Sequence, residues 1–598
     1  MAVKKILNPN VENVVEESLA GYLAAYRKYY KRIGNYNAFK YRKARKNKTV
    51  LVIGGGSGHE PLFIGYCGAG LADAVACGNV CASPNPELIY KTARAVDQGM
   101  GVLFVYGCYA GDNLNFDMAE ELCRADGIKT AHVRVWDDFL SAPEERKFDR
   151  RGIAGDVFVI KCAGAACDAG LAFDEVVRIT EKARDNIRTI GVATAPGTLP
   201  GNDKPTFTLA DDELEFGMGL HGEPGIERTR MMTADKIVDR MYAELRNEMK
   251  LSSGERIAVL VNGLGSTPMM ELNLVYFNLY KHLKQDGLSI HDSEIKTCCT
   301  CMEMGGFSIT ILRLDSELLH YYDMPCYSPY YAAGTLKENP SSVNHSSKED
   351  FNEDTDEQEQ LEFDEKSWTP SSIVRSSSGV LAELTVEDAK NMLLYIADKI
   401  ILKKPYLTEV DSAIGDGDHG IGMAGGMLKA KKALLKMENE TNVYSIFKTA
   451  GQAMLRSMGG ASGVIFGSLY LAGTAEAVPK AVLTASDLAI MEKKSLEAIQ
   501  ARGGAQPGDK TMVDALSPAV DAMLGNQEKG LLKMLVAAEN AAQKGLEDTK
   551  KYTAKFGRAK SLLEKAIGHQ DAGAASVYFI FQGMREFVED KMQLYESR

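Results

Sequence analysis

No stretch of this chain reaches the roughly 18 consecutive apolar residues that a membrane-crossing helix needs. The opening Met1-Ala-Val-Lys-Lys-Ile-Leu-Asn-Pro-Asn carries basic residues without the apolar segment of a secretion signal behind them. No membrane partner is expected, and the location expected is cytoplasmic. Cysteine is missing from everything after Cys326, and the eleven in the chain up to and including that residue are an odd number at irregular spacing. That pattern suits reduced thiols and argues against a disulfide framework. Basic charge is also short. With 69 Lys and Arg against 81 Asp and Glu the formal charge is −12, which disfavours a nucleic-acid partner. One local exception runs from Arg27 to Lys48, where basic residues alternate with tyrosines; such a run reads as a solvated helix face ahead of the first strand. The familiar nucleotide loops are absent as well. Gly54-Gly-Gly-Ser-Gly-His59-Glu-Pro61 has no following G-K-[ST], so it is no Walker A loop, and His59 occupies the last position of what would be G-x-G-x-x-G.

What is present divides the 598 residues into three parts, in line with a length that exceeds one hydrophobic core. Residues 1–337 alternate short apolar runs ending near glycine (Thr49–Gly54, Gly101–Gly107, Val157–Lys161, Arg256–Gly263) with longer helical patterns. Such runs predict buried, mainly parallel strands and an α/β unit of two α/β subdomains, with ligands just past the strand ends. Residues 338–380 hold ten acidic residues between Glu349 and Glu365, flanked by serine clusters, and read as a flexible, self-repelling linker. Residues 381–598 carry helical periodicity over Thr385–Ile401, Val443–Met458, Thr484–Arg502, Lys510–Leu524, Leu531–Asp548 and Ala574–Gln593. They predict an all-α bundle or barrel.

The densest chemistry lies in Asp411-Ser-Ala-Ile-Gly-Asp416-Gly-Asp418-His419-Gly420. Three carboxylates among glycines suit a magnesium–phosphate site, because Mg²⁺ takes oxygen ligands and is commonly shared between carboxylates and nucleotide phosphates. Asp416 and Asp418, two apart, would face the same way in an extended loop. A calcium EF-hand fails, since counting from Asp411 puts Asp416 where Gly is needed and Gly422 where Glu is needed. In the first unit three glycine loops carry polar groups: Gly54–Pro61 with Ser57 and His59, Gly107–Phe116 with Asp112, and Gly217–Gly225 with His221. An aspartate at a strand end can accept a hydroxyl proton, and a neutral imidazole can act as base or nucleophile. Cys298-Cys299-Thr300-Cys301 has no matching Cys or His pair nearby and reads as structural.

Taken together these loops resemble the dihydroxyacetone kinases. Gly54–Pro61, Gly111-Asp112 with Asn115-Phe116, and Gly217–Gly225 resemble the ketose-binding unit of that family. Asp411–Gly420, Gly459–Gly463, Gly503–Met512 and Gly568–Ser576 resemble its nucleotide-binding unit. The resemblance implies an ATP-dependent kinase of the fused, single-chain type, acting on dihydroxyacetone or a four-carbon ketose such as erythrulose. It implies that His221 holds the ketose as a covalent hemiaminal, that Asp112 takes the hydroxyl proton, that His59 hydrogen-bonds that hydroxyl, and that Gly56, Ser57 and Gly58 line the pocket. It further implies that Asp411, Asp416 and Asp418 hold two Mg²⁺ ions, and that His419, Gly420, Ser462, Gly463, Met512, Arg558, Asp571, Ala572 and Gly573 bind ATP. A homodimer is the expected assembly. The family's lysine five residues before the aspartate is Gly107 here; either the pocket is enlarged for a four-carbon ketose, or Tyr106 or Tyr109 refills the space. Relatives also imply two other activities: cyclising FAD-AMP lyase chemistry in the same nucleotide pocket, favouring Mn²⁺, and ligand sensing without catalysis; the presence of both His221 and the aspartate loop weighs against pure sensing.

Overall fold

The structure is a computed structural model that describes residues 5–202, 205–335, 383–415, 417–475 and 477–596. The expected linker at 338–380 and Asp416 lie outside the described residues.

The first unit opens with helix α1 (Val14–Ala25) and then builds a six-stranded sheet from β1 (Tyr30–Arg32), β2 (Ala38–Tyr41), β3 (Val50–Ser57), β4 (Ala74–Val80), β5 (Val102–Gly107) and β6 (Thr130–Val135), with α2 (Pro86–Val96) and α3 (Ala110–Ala125) between its later strands. Its order is β1-β2-β4-β3-β5-β6, and β4, β3, β5 and β6 run parallel. The chain leaves β3 for β4 on one side and later returns to β5 on the other. The crevice beyond the ends of β3 and β5 is therefore a topological switch point, where ligands of such sheets sit.

The sheet's edge comes from the basic, tyrosine-rich run. Instead of a solvated helix face, it forms the antiparallel pair β1 and β2, with Tyr29, Tyr30 and Tyr41 buried and most of the charges outward. Lys48 is the inward exception, bonded to Asp73 at 2.8 Å and Asp168 at 2.6 Å. Alternation of tyrosine and base is the period of a strand, and that period prevails over the charge count.

A second layer follows: α4 (Asp156–Asp168), α5 (Phe173–Asp185), β7 (Ile187–Ala195), β8 (Glu213–Phe216), β9 (Glu227–Arg230), α6 (Ala234–Met249), β10 (Arg256–Gly263), α7 (Met269–Gln285), β11 (Ser289–Lys296), β12 (Gly305–Arg313) and α8 (Ser316–Tyr322). Its sheet, β11-β10-β12-β7-β8-β9, has only the β10–β11 pair parallel. The expected parallel character thus holds in the first sheet and not in the second. β10 is apolar from Ile257 to Val261 because alternate residues serve different cores, Ile257, Val259 and Val261 one and Ala258 and Leu260 another; burial on both faces says nothing about strand direction.

Val157–Lys161, expected as a strand, lies instead inside α4. Every residue from Asp156 to Cys167 is buried, and a helix buried all round has the same continuous apolar pattern as a buried strand. The following Ala-Gly-Ala-Ala sequence lets it press close: a Cβ on Gly164 would stand 2.5 Å from the Leu71 Cα.

Past residue 382 the described chain is almost entirely helical. It comprises α9 (Val386–Leu402), α10 (Lys404–Ser412), α11 (His419–Leu435), α12 (Val443–Ser457), α13 (Gly460–Leu471), α14 (Ala485–Gly503), α15 (Val513–Asn526), α16 (Leu531–Asp548) and α17 (Ala572–Glu596). Neighbours pack in sequence from α11 to α17, and α9 joins α17 to α11, so a ring of helices closes around one core. Thr385 and Thr484 begin α9 and α14 with capping boxes. The expectation did not mark α10, α11 or α13; in α11 and α13 interior glycine, about 1 kcal/mol worse than alanine in a helix, argues against one. Packing compensates: a Cβ on Gly451 would lie 2.8 Å from the Gly467 carbonyl oxygen, so α12 and α13 touch backbone to backbone there. No helix among the described residues is long and apolar enough to cross a membrane.

Candidate functional site

At the switch point, β3 ends in Gly54–Ser57 and turns into His59. The His59 ring lies almost wholly buried. Its Nδ1 donates to the Thr300 carbonyl at 2.8 Å, and its Nε2 lies 3.1 Å from Nε2 of His221. His221 comes from the loop after β8, where the Glu223 carboxylate accepts from its Nδ1 at 3.0 Å and from its backbone N–H at 2.9 Å. Burial alone would raise the Glu223 carboxyl, but the adjacent His221 and the Arg151 guanidinium win and hold it far below the ordinary carboxylate range. An anion on Nδ1 orients the ring and stabilises positive charge on it. Tyr109 stands edge-on to the His221 ring with centroids 4.9 Å apart.

Asp112 lies in the first turn of α3, whose N-terminal end follows Tyr109 directly. The structure thus brings His59, His221 and the start of α3 together at one sheet edge, with Gly56, Ser57 and Gly58 in the β3 turn. Gly107 ends β5 and is fully enclosed: a Cβ there would meet the Asp156 Oδ2 at 3.2 Å and the Gly152 carbonyl at 3.4 Å. Neither tyrosine fills that position. Tyr106 turns to the opposite face, stacked on Phe116 at 4.0 Å, and Tyr109 is against His221. Asp156 occupies it instead, 2% exposed and with Oδ1 lacking a hydrogen-bond partner. Burial, and then the Asp137 and Asp112 charges, push its carboxyl well above the usual range, which favours the protonated form.

In the helical unit the expected nucleotide residues gather at one end of the ring. Asp411 ends α10; Asp418, His419 and Gly420 begin α11; Ser462 and Gly463 lie in the first turn of α13; Met512 precedes α15; and Asp571, Ala572 and Gly573 begin α17. His419 joins three helices, with Nε2 2.8 Å from the Ser576 Oγ and Nδ1 3.4 Å from the Ser462 Oγ. Burial lowers its basicity, so the neutral ring is the resting form. A Cβ on Gly573 would lie 3.2 Å from the Met512 Cβ, which joins α17 to the start of α15. Four helix N-termini therefore converge, and their exposed N–H groups and positive dipole ends suit an anion such as a polyphosphate.

The carboxylates there fit a divalent cation. Burial and then Asp411 push Asp418 up to about 7, and burial together with Asp514 and Asp411 pushes Asp571 up to about 7 against the opposing effect of Lys510. Acids crowded this way are relieved by a hard cation with oxygen ligands. Asp418 is the residue before α11 with helical backbone, preceded by Gly417 at φ 77°; the extended-loop expectation therefore does not hold at that residue. Arg558 opens a short 3-10 segment, Arg558–Ala566, and its side chain lies outside the described residues.

Several supporting residues escaped the sequence reading. Asp514 accepts from the backbone N–H groups of Gly508 and Thr511 and shapes the turn before α15. Lys510 donates to the carbonyls of Thr549 at 2.7 Å and His569 at 2.6 Å, sewing three loops together. Glu223 carried a signal, a carboxylate two residues from a histidine inside a glycine loop; Asp156 carried none.

The two units meet beside both sites. The buried Asn115 of α3 donates to the Gly460 carbonyl at 3.1 Å, the Gly460 N–H donates to the Ser83 carbonyl at 3.2 Å, and a Cβ on Gly111 would lie 3.3 Å from the Ala461 nitrogen. The N-terminal turns of α3 and α13 thus abut. Ion pairs Arg456–Glu87 at 3.0 Å and Arg502–Glu121 at 3.2 Å lie further out along the same contact.

Comparison with known proteins matches the Dak1 domain family to residues 20–330 and the DAK2 domain family to residues 413–586. The D-erythrulose kinase of Mycolicibacterium smegmatis is 34% identical over 572 residues, 94% of this chain and 95% of that protein. The dihydroxyacetone-binding subunit of a PTS-dependent dihydroxyacetone kinase of Listeria innocua is 45% identical over 331 residues, 55% of this chain and 99% of that subunit. Among solved structures, the dihydroxyacetone kinase from C. freundii in complex with AMP-PNP and Mg²⁺ matches with a TM-score of 0.50 at 25% identity, covering 98% of this chain and all of that one.

Proposed function

Because the chain belongs to the dihydroxyacetone kinase family, with Dak1 and DAK2 units in one polypeptide, we propose that it phosphorylates a short-chain ketose, dihydroxyacetone or erythrulose, at the expense of ATP. The observation that carries this reading is the contact of the α3 and α13 N-termini. It sets the turn bearing Asp112 against the turn bearing Ser462 and Gly463, so that an acceptor hydroxyl and a donor phosphate would approach between two positive helix ends.

In this reading the Nε2 lone pair of His221 adds to the ketose carbonyl carbon, and the carbonyl oxygen takes up a proton from the His59–His221 pair to give a hemiaminal. Glu223 offsets the positive charge that develops on the ring. Capture of this kind selects carbonyl compounds over simple polyols and fixes their orientation. Asp112 accepts the proton of the hydroxyl that is phosphorylated, with His59 as its hydrogen-bonding neighbour and the backbone of Gly56, Ser57 and Gly58 as the wall. Asp411 and Asp418, together with Asp416, hold Mg²⁺, two ions in the family pattern, which neutralise phosphate charge when bound. His419, Gly420, Ser462, Gly463, Met512, Arg558, Asp571, Ala572 and Gly573 form the nucleotide pocket at one mouth of a helical barrel.

The protein acts as a cytoplasmic homodimer in this reading. A stripe of exposed apolar residues on α7, Met270, Leu274, Phe277 and Tyr280, supports a self-association face. The experiment is a panel of C3 and C4 ketoses with Mg²⁺-ATP, run beside His221→Ala and Asp411→Ala. ADP release should require ketose, fall at least about 100-fold in either variant and stop with EDTA. Ketose-independent ADP release, or full activity in Asp411→Ala, would overturn the reading, and formation of a cyclic product from FAD with Mn²⁺ but no ketose turnover would replace it with the lyase.

A further inference from the structure

The two imidazoles at the switch point hold a second property. His59 Nδ1 faces a carbonyl oxygen at 2.8 Å, and His221 Nδ1 faces a carboxylate oxygen at 3.0 Å. Neither acceptor has a proton to give, so each Nδ1 carries the N–H and each Nε2 presents its lone pair. Those two lone pairs point at one another across 3.1 Å. Two acceptors at that range repel unless a cation stands between them. A proton serves. So does a metal ion, since two nitrogens about 2.05 Å from a tetrahedral Zn²⁺ are themselves about 3.3 Å apart.

A third donor is in place. The Cys81 Sγ and the two imidazole nitrogens lie within 4.8 Å of one another, and this is the one group of three or more potential metal-binding His, Cys, Asp and Glu side chains among the described residues. Cys81 is 4% exposed, adopts a left-handed backbone at φ 52°, and is fixed there by its N–H to the Ser57 carbonyl at 2.8 Å. The outer bonds of both rings are those that orient metal-bound histidines, above all the carboxylate of Glu223 behind His221. We propose that His59, Cys81 and His221 form a Zn²⁺ site in which the bound ion and the ketose exclude one another at Nε2 of His221.

Two imidazoles and a thiolate are soft to intermediate ligands that suit Zn²⁺ and not Mg²⁺, so the ion that serves the nucleotide does not enter. On binding, the thiol proton and any proton shared by the rings pass to solvent, and water completes the fourth position. No oxidation or reduction is involved. The consequence is a kinase whose acceptor half is silenced by zinc while its nucleotide half stays intact.

The inhibitory part rests on the ketose reading of His221; the metal site does not. The test uses the full-length protein. Co²⁺, a spectroscopic stand-in for Zn²⁺, should give a thiolate-to-cobalt charge-transfer band in the near ultraviolet with the wild type and none with Cys81→Ser. Zn²⁺ should raise the apparent KM for the ketose without changing that for ATP, and Cys81→Ser should keep its kinase activity while shifting the inhibition midpoint upward at least about tenfold. Thermal melting with and without Zn²⁺ is the independent check, with stabilisation in the wild type alone. Absence of the cobalt band, an unchanged midpoint in Cys81→Ser, or competition with ATP overturns the site. Should the wild type phosphorylate no ketose, the cobalt band and the melting shift still decide it.

Discussion

Replacing Glu492 by glutamine should remove a large part of the pH dependence of the α13–α14 region, beside the shares of the raised acids Asp418 and Asp571. Glu492 lies on α14, 1% exposed, with Oε1 lacking a hydrogen-bond partner, and the fully enclosed hydroxyl of Tyr470 on α13 lacks one too. Burial pushes the carboxyl from 4.5 up to about 8. A folded-state value raised above the unfolded one means that the stabilising contribution is complete below about 4.5 and is lost as pH climbs through 8. At about 1.4 kcal/mol per pH unit, the loss between pH 5 and pH 9 is about 4 kcal/mol. Hydrogen exchange of the α13 and α14 amides, corrected for intrinsic rate, reads this locally and avoids treating a multi-unit chain as two-state. Protection in the wild type should fall by about three decades over that interval, and in Glu492→Gln by far less. Parallel profiles for the two proteins would refute the claim that Glu492 is a buried neutral acid.

Asn115→Ala removes the side-chain bond to the Gly460 carbonyl and should lower kcat/KM for both substrates about fivefold, the effect of about 1 kcal/mol, with far-UV circular dichroism unchanged; an effect on one substrate alone would show that the seam is not what was disturbed. Gly164→Val drives a side chain into the Leu71 backbone and should cost about 3 kcal/mol, read as a lower melting temperature or loss of soluble protein. Asp156→Asn keeps shape and neutrality, so it should melt within about 2 °C of the wild type at pH 6 and above it at pH 9, where the wild-type carboxyl must either ionise in burial or hold an expensive proton. A lower melting temperature at both pH values would mean that Asp156 works as an anion.

The sequence showed the division into an α/β part and a helical part, because the change in apolar period at the unit boundary survives any error in individual elements. It did not show that Val157–Lys161 is helical, since full burial erases periodicity, nor the start of α13 at Gly460, since Gly459, Gly460 and Gly463 together suggest a loop. Candidate residues with polar side chains beside glycine, such as His59, His221 and Asp418, stand out along the chain. Those that act by contact across hundreds of positions do not: Asn115 against Gly460 and Asp156 behind Gly107 become visible only in three dimensions. Arg27–Lys48 misled for another reason, because counting charges ignores the side to which alternate residues point.

The seam between the units is narrow in its polar content: one buried amide, backbone bonds at Gly460, and a scatter of outlying ion pairs that salt screens. His221, only 11% exposed at its side chain, sits under that seam. On the proposed reading, with the ketose held on His221, the halves would have to part for substrate entry and product exit, so that each turnover would be a cycle of adhesion and release. On that same reading a chain that stuck to itself more firmly would catalyse more slowly, and ionic strength would throttle the rate without touching any reacting atom.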